Sequence, residues 1–248
     1  MDVSLYQAAA AMNATERWQE LISDNLAAAS MPGTRKREIS FSAVQAGLAS
    51  SSSNAANPGY VIPSANAVTS FQQGELHSTG SSMDFALEGP GFFSVQTSNG
   101  QQMYTRDGEF QLNSKGQMVT LQGNLVQGDA GPIQFDPGSS TSITISATGE
   151  VSQGAEKKGK LQITEFNNPN LLTSLGGGLF RAEDSGLKTT DSGATQVRQG
   201  FVESANGSAV TEMASLISSM RMFEANQKVL QMQSDRMSRE ISDLGNPG

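Results

Sequence analysis

The chain has 248 residues, a formal net charge of −8, one histidine and no cysteine. Its longest basic run is Arg35-Lys36-Arg37, which argues against nucleic acid as a partner, and without cysteine neither a disulfide framework nor a thiolate metal site can form. No stretch approaches the length of a membrane span, and no basic n-region precedes a long apolar run at the amino terminus. Neither direct membrane insertion nor a cleaved signal peptide is expected.

The chain opens on helical periodicity. Leu5, Ala8, Met12, Thr15, Gln19, Ile22, Leu26 and Ala29 step by three and four over about residues 3–29. The alanines at 8–11 and 27–29 favour helix and let a neighbouring backbone approach, and Pro32-Gly33 ends the element. Trp18 reads as a packing residue on this amphipathic stretch. From Ile39 to Gly74 there is no charged residue, and Ser50 to Gly59 has the composition of a loop. Residues 34–80 are therefore expected to be an extended linker, with short strands at Val61-Ile62 and Val68 to Phe71.

From about Ser81 the pattern becomes short alternating runs between turn residues. Strands are predicted at 92–97, 102–105, 118–121, 143–145 and 161–166, with further strand residues at Phe110 and Leu112. Asn99-Gly100 predicts a type I′ hairpin turn, and Asp107-Gly108, Lys115-Gly116, Gln122-Gly123-Asn124, Asp136-Pro137-Gly138 and Thr148-Gly149 mark further turns. Leu171 to Leu175 predicts a short helical turn before Gly176-Gly177-Gly178, and Asp184 to Thr195 reads as a polar loop. Short strands at this spacing indicate an all-β domain of sandwich or barrel type.

The last element is a helix over Ala209–Leu244. Met213, Leu216, Met220, Phe223, Gln227, Leu230, Ser234, Met237, Ile241 and Leu244 alternate three and four apart, the a/d spacing of a coiled coil. Ser208 with Glu212 behind it suits the start, and Gly245 followed by Pro247 the stop. Burying eight apolar side chains gains ~12–24 kcal/mol. Fixing the backbone costs roughly 1–2 kcal/mol per residue, so the seam needs a partner.

Catalytic constellations are hard to assemble. His77 lies in a polar stretch beside Glu75 and Ser78 and reads as a solvated side chain. Asp84 and Asp107 have no spacing that marks a glycosidase pair, and Asp107 already belongs to an Asp-Gly turn. Gly176-Gly177-Gly178 and Gly89-Pro90-Gly91 lack the lysine and the spacing of phosphate loops. No catalytic residue, cofactor or metal ligand is assigned. A secreted cell-wall hydrolase with helical ends remains a rival class, and an adhesin would need an aromatic patch that one Trp and three Tyr do not supply.

Several strings resemble the bacterial flagellar rod and hook proteins. Ser23 to Gly33, with Asn25, Leu26 and Gly33, is similar to the family's amino-terminal signature. It departs at Ala28, where a second asparagine is usual, and at Thr34, where phenylalanine is usual. Met83 to Phe93, with Asp84, Gly89, Gly91, Phe92 and Phe93, resembles a second hallmark. Tyr104-Thr105-Arg106-Asp107-Gly108-Glu109-Phe110 resembles a third, and Gln199-Gly200-Phe201-Val202-Glu203-Ser204-Ala205-Asn206 a fourth.

The resemblance implies an α+β fold. Long N- and C-terminal helices (1–33 and 199–248) would form an axial coiled-coil layer, with the linker 34–80 and a central β domain 81–198. Leu5, Met12, Ile22, Leu26, Met213, Leu216, Met220, Phe223, Leu230, Met237, Ile241 and Leu244 would pack that layer. It further implies a non-enzymatic rod subunit that assembles with copies of itself and with other rod and hook subunits. The flagellar export apparatus would deliver it without a cleaved signal, to a rod crossing the periplasm. The short linker, Ser30 to Arg35 and Gly131-Pro132-Ile133 favour the proximal rod member over the distal one.

Overall fold

The computed structural model describes residues 3–46, 60–136, 138, 141–183, 187, 189–191 and 193–245. The chain divides into a terminal unit (Met1–Leu26, Arg37–Val68 and Ala209–Gly248) and a central unit (Ala27–Lys36 and Thr69–Ser208). The loop expected over Ser50–Gly59, the prolines at 137 and 247, and residues 184–186 lie outside the described residues.

The terminal unit is built on two helices, α1 (Val3–Ala28) and α2 (Ala209–Gly245). Both follow the 3.6-residue periodicity of the sequence, and Gly33 in the left-handed region (φ +68°) follows the end of α1. Between them in sequence, β1 (Arg37–Ala46) pairs with β2 (Tyr60–Thr69). These ten-residue strands replace the short ones expected within the linker. Ile39-Ser40-Phe41-Ser42-Ala43 alternates apolar and polar with period two, a strand pattern that the uniform lack of charge had hidden.

The central unit begins with β3 (Leu76–Ser78), β4 (Phe85–Glu88), β5 (Phe92–Gln96), β6 (Gln102–Thr105), β7 (Phe110–Leu112), β8 (Met118–Thr120), β9 (Leu125–Gly128) and β10 (Gly131–Pro132). It continues with β11 (Ile143–Ile145), β12 (Glu150–Gln153), β13 (Glu156–Lys160), β14 (Ile163–Phe166), β15 (Leu172–Gly176), β16 (Leu179–Ala182), β17 (Thr189–Asp191), β18 (Gln196–Gln199) and β19 (Phe201–Glu203). The main sheet runs β15-β16-β6-β5-β9-β8-β7. β14 joins β5 through Ile163↔Phe93, on the edge that β9 also uses through Val126↔Val95. Smaller sheets are β11-β12-β13, β18-β4 and β19-β3.

β5 shows how the core is made. Phe92, Phe93, Ser94 and Val95 are all buried, so this strand is covered on both faces. Phe93 and Val95 join Phe85, Phe110, Met118 and Phe135 in one apolar cluster. Phe92 joins Tyr104, Phe166, Leu172 and Phe180 in a second. Edge-to-face contacts, such as Phe93–Phe110 with centroids 5.1 Å apart and Tyr104–Phe166 at 4.8 Å, add geometric preference to this burial.

Four hairpins share one turn. Thr97, Asn113, Thr120 and Ser146 each accept from the backbone N–H three residues on, which belongs to Gly100, Gly116, Gly123 and Gly149. Each also donates its own N–H to the residue four on, and each glycine has φ between +76° and +85°. This is a type I turn followed by a left-handed glycine, and it corrects the type I′ turn expected at Asn99-Gly100. No described non-glycine residue has positive φ, whereas type I′ requires Asn99 to adopt it. Polar side chains reinforce all four turns: Thr97 Oγ1 donates to Gln101 C=O, Asn113 Oδ1 accepts from Lys115 and Gln117 N–H, Thr120 Oγ1 from Asn124, and Ser146 Oγ from Glu150.

The predicted helical turn at Leu171–Leu175 is also corrected. A 3-10 turn at Pro169–Leu171 leads straight into β15, which pairs with β16. Within the stretch read as a polar loop, β17 pairs with β14, and β18 starts directly after it at Gln196.

Candidate functional site

Two arrangements gather the residues that the sequence singled out, one in each unit.

In the terminal unit α1 and α2 run in opposite directions, since Asn25 Nδ2 lies 3.4 Å from Glu212 Oε2 while Asn226 Nδ2 lies 3.4 Å from Thr15 Oγ1. Ala14, Thr15, Leu21, Ile22 and Asn25 are buried on α1. Asn25 is the hub: its Oδ1 accepts from Arg37 N–H and its Nδ2 donates to Arg37 C=O, both at 2.8 Å, so the first residue of β1 is held as by a backbone partner.

On α2 the buried face is not the expected seam. Leu216, Phe223 and Leu230 are half-buried, but Met213, Met220, Met237 and Ile241 are exposed. Glu212 and Ser219 are buried instead, with Asn226 and Gln233 half-buried. These four polar residues recur every seven positions, a row that hydrophobicity alone passes over. The Ser219 hydroxyl is fully buried with no hydrogen-bond partner among the described residues. Of the other expected packing residues, Ile22 is buried and Met12 and Leu26 half-buried, and the side chains of Leu5 and Leu244 lie outside the described residues.

A second apolar stripe therefore stands in solvent. Val210, Met213, Ile217 and Met220 are 77, 52, 55 and 52 % exposed at spacings of three and four. They cover one side of the first three turns of α2.

In the central unit the focus is Glu203, wholly buried at the end of β19. Its Oε1 lies 2.7 Å from Arg35 Nη1 and accepts from Gly74 N–H at 2.8 Å, and its Oε2 accepts from Arg106 Nη1 at 3.1 Å. Arg106 also donates to the carbonyls of Leu87 and Gly89, and its guanidinium sits 5.0 Å from the centroid of the Phe92 ring. Burial pulls Arg106 down to about 10, with Glu203 opposing and Arg35 adding to the shift. Three residues on, Asn206 accepts from Lys36 N–H at 2.7 Å and donates to the Ser70 and Gln72 carbonyls at 2.8 and 3.0 Å. No pattern in the sequence signals that Arg35 faces Glu203.

The remaining motif residues are structural in the same sense. Thr105 Oγ1 donates to Gly178 C=O and accepts from Asp107 N–H. Gly91 N–H donates to Thr195 Oγ1, and Gly108 C=O accepts from Phe85 N–H. Gly200 N–H donates to Asp84 C=O. Gln199 donates to the Ser82 and Ile143 carbonyls and accepts from Ile145 N–H. Thr34, the departure from the signature, directs its hydroxyl at the Ala28 and Met31 carbonyls, 2.8 and 2.7 Å away, and so closes the end of α1.

The chemical candidates do not converge. His77 is exposed, with Nε2 3.8 Å from the Glu75 carboxylate. Asp84 is bridged to Glu109 across the backbone. Asp107 is buried and its carboxyl is pushed up to about 6, mainly by burial, with the Glu109 N–H opposing and the Glu109 and Asp84 carboxylates adding. Among the described residues, no group of three His, Cys, Asp or Glu could hold a metal ion, and no helix is long and apolar enough to cross a membrane.

Residues 86–153 match the family model described as the flagellar hook protein FlgE/F/G D1 domain, and residues 198–244 the flagellar basal body rod FlgEFG protein C-terminal model. The chain is 31 % identical over 247 residues to the flagellar basal-body rod protein FlgF of Mesorhizobium japonicum, covering 99 % of each chain. It is 30 % identical to FlgF of Escherichia coli, covering 96 % of this chain and 97 % of that one. To the rod protein FlgG of Buchnera aphidicola from Acyrthosiphon pisum it is 37 % identical over 183 residues, 69 % of this chain and 68 % of the relative. With the hallmark strings holding the two hubs, and matches that run from end to end, the chain belongs to the bacterial flagellar basal-body rod proteins, a family of structural subunits and not of enzymes.

Proposed function

We propose that this chain is a structural subunit of the rod in the flagellar basal body, and that it assembles through the exposed apolar stripe of α2. Four large apolar side chains in one solvent-facing row on an otherwise acidic protein support this most directly. The row is too narrow to enclose a ligand, and its spacing fits the side of another helix.

In this reading the terminal helices (1–33 and 199–248) pack with those of neighbouring copies and of other rod and hook subunits as a coiled-coil layer. Leu216, Phe223 and Leu230 then serve contacts near α1, while Met213, Met220, Met237 and Ile241 face a neighbour. The segment 34–80 connects that layer to the β domain 81–198. Head-to-tail contacts that do not close generate a filament. Delivery by the flagellar export apparatus to a rod crossing the periplasm belongs to the same proposal.

Among rod positions we favour the proximal one. The FlgF proteins of Mesorhizobium japonicum and Caulobacter vibrioides align over 247 and 248 positions, the length of this chain. Two FlgG proteins aligned over nearly the whole chain need 262 and 263 positions. A distal rod position is the alternative.

Ile217→Asp tests the assembly surface. Its side chain is more than half exposed, so the isolated variant should melt like the parent. Cells carrying it should export the subunit, build no complete rod and fail to swim. Intact, motile basal bodies containing the variant would overturn the assignment.

A further inference from the structure

The chain passes between the two units four times, after residues 26, 36, 68 and 208. On the central-unit side, all four passages are tied to one another by hydrogen bonds within that unit. The first is closed onto the second by Thr34, whose hydroxyl reaches the Ala28 and Met31 carbonyls. The second is bonded to the third, since Ser70 N–H donates to Lys36 C=O at 2.9 Å. The fourth is bonded to both: Asn206 takes Lys36 N–H and gives to the Ser70 and Gln72 carbonyls, and Gly33 N–H donates to Glu203 C=O at 2.7 Å. Glu203 adds the charge contacts to Arg35 on the second passage and Arg106 from the β core, plus Gly74 N–H on the third.

The packing leaves no slack at this point. A β-carbon on Gly33 would overlap the Asp107 backbone, and one on Gly74 would overlap the Ser204 carbonyl. Two guanidinium groups share one buried carboxylate, and Nε and Nη2 of Arg35 have no hydrogen-bond partner among the described residues. A buried cluster with excess positive charge and unmet donors is a poor way to gain stability. It does fix geometry, because neither arginine can leave Glu203 without burying a bare charge.

We propose that Glu203 and Asn206 are positioning residues. They hold the four chain segments that enter the central unit in one cluster, so that load carried along any of them reaches the β core at a single point. This rests on the rod reading above and assigns it a mechanical part.

The test compares two variants in the full-length protein. Asn206→Ala removes three ties without touching the apolar core. Val126→Ala truncates a core residue far in sequence from the joint and should lower the melting temperature more. Asn206→Ala should speed amide exchange at Lys36 and Gly33 at least tenfold, open residues 27–36 and 70–75 to protease, and cut swimming at least tenfold, most of all in viscous medium. Val126→Ala should leave those amides protected and swimming within twofold of the parent.

Glu203→Gln should behave as Asn206→Ala but more severely. Adding Arg35→Met to Glu203→Gln should recover part of the melting temperature, Arg106 still lacking its carboxylate, without recovering swimming. Normal swimming by Asn206→Ala with its Lys36 amide exposed would overturn the joint. So would swimming that follows melting temperature across all four variants. Normal swimming in a strain lacking the chain altogether would instead remove the rod reading beneath it.

Discussion

The central and terminal units differ in what they place inside. The central unit buries phenylalanines on both sides of β5 and satisfies its strand backbones by antiparallel pairing. The terminal unit buries Leu21 and Ile22 beside Glu212, Ser219 and Asn25, and leaves Val210, Met213, Ile217 and Met220 in water. The first is a core complete in itself, whereas the second is an interface whose inner row is polar and whose best apolar row is outside. A polar row on a helix pair weakens it while favouring one register, because only that alignment brings Asn25 to Glu212 and Asn226 to Thr15.

That contrast can be broken most forcefully from the core side. Phe93→Ala removes a fully buried ring from the larger cluster and should destabilise the central unit by about 3–5 kcal/mol. Near-UV circular dichroism of the variant should show loss of its aromatic signal at a temperature where the parent is folded. A loss below about 1 kcal/mol would mean that the core is looser than its burial indicates.

Leu230→Asp probes the terminal unit. Leu230 is half-buried, and a carboxylate there should cost the helix pair about 1–3 kcal/mol while leaving the central unit's melting unchanged. Cells making it should export the protein and fail to swim. If the central unit melted early instead, the two units would not be separable in this way.

Asp107→Asn should raise stability, by an amount that depends on pH. The folded carboxyl holds its proton up to about 6 against 3.8 for the ordinary group, so its contribution is full below about pH 4 and is lost as pH rises through 6. The variant should come close to the parent at pH 4 and exceed it by about 2–3 kcal/mol at pH 7.5 in urea melts. The asparagine oxygen keeps the acceptor for Glu109 N–H. Equal stability at both pH values would show that Asp107 ionises freely.

Lys228→Asp marks the small end. Lys228 is exposed, and reversing its charge four residues after Glu224 should change stability by no more than about 0.5 kcal/mol, with swimming retained. A non-motile Lys228→Asp strain would move the assembly surface around the helix.

The sequence revealed most where one physical rule acts alone. Both helices were legible from their 3.6-residue period, and the hairpin turns from their glycines. Strands β12 and β13 were not, because Glu156-Lys157-Lys158 is a solvated surface run whose pairing comes from the backbone register with Val151 to Gln153. The seam was half legible. Leu216, Phe223 and Leu230 do face inward, but the inner face is turned toward Glu212, Ser219 and Asn226, which an apolar pattern cannot see because their burial depends on partners far away in the chain. Glu203 and Asn206 were marked by resemblance alone, and their partners Arg35 and Lys36, Ser70, and Arg106 come from three separate segments.

The sheet order also sets a timetable. The meander β7-β8-β9 joins neighbouring segments through loops of a few residues, so it can form as soon as its residues are free of whatever confines the chain. β3 and β4 must wait, because their partners are β19 and β18, more than a hundred residues later. Loop closure over that distance comes last on entropic grounds. A chain released amino end first thus carries a hairpin array beside two strands that stay unpaired until residue 203 has emerged. Pulse-labelled hydrogen exchange during refolding should find Val119 protected early and His77 late. The reverse order would show that the long-range pairs lead.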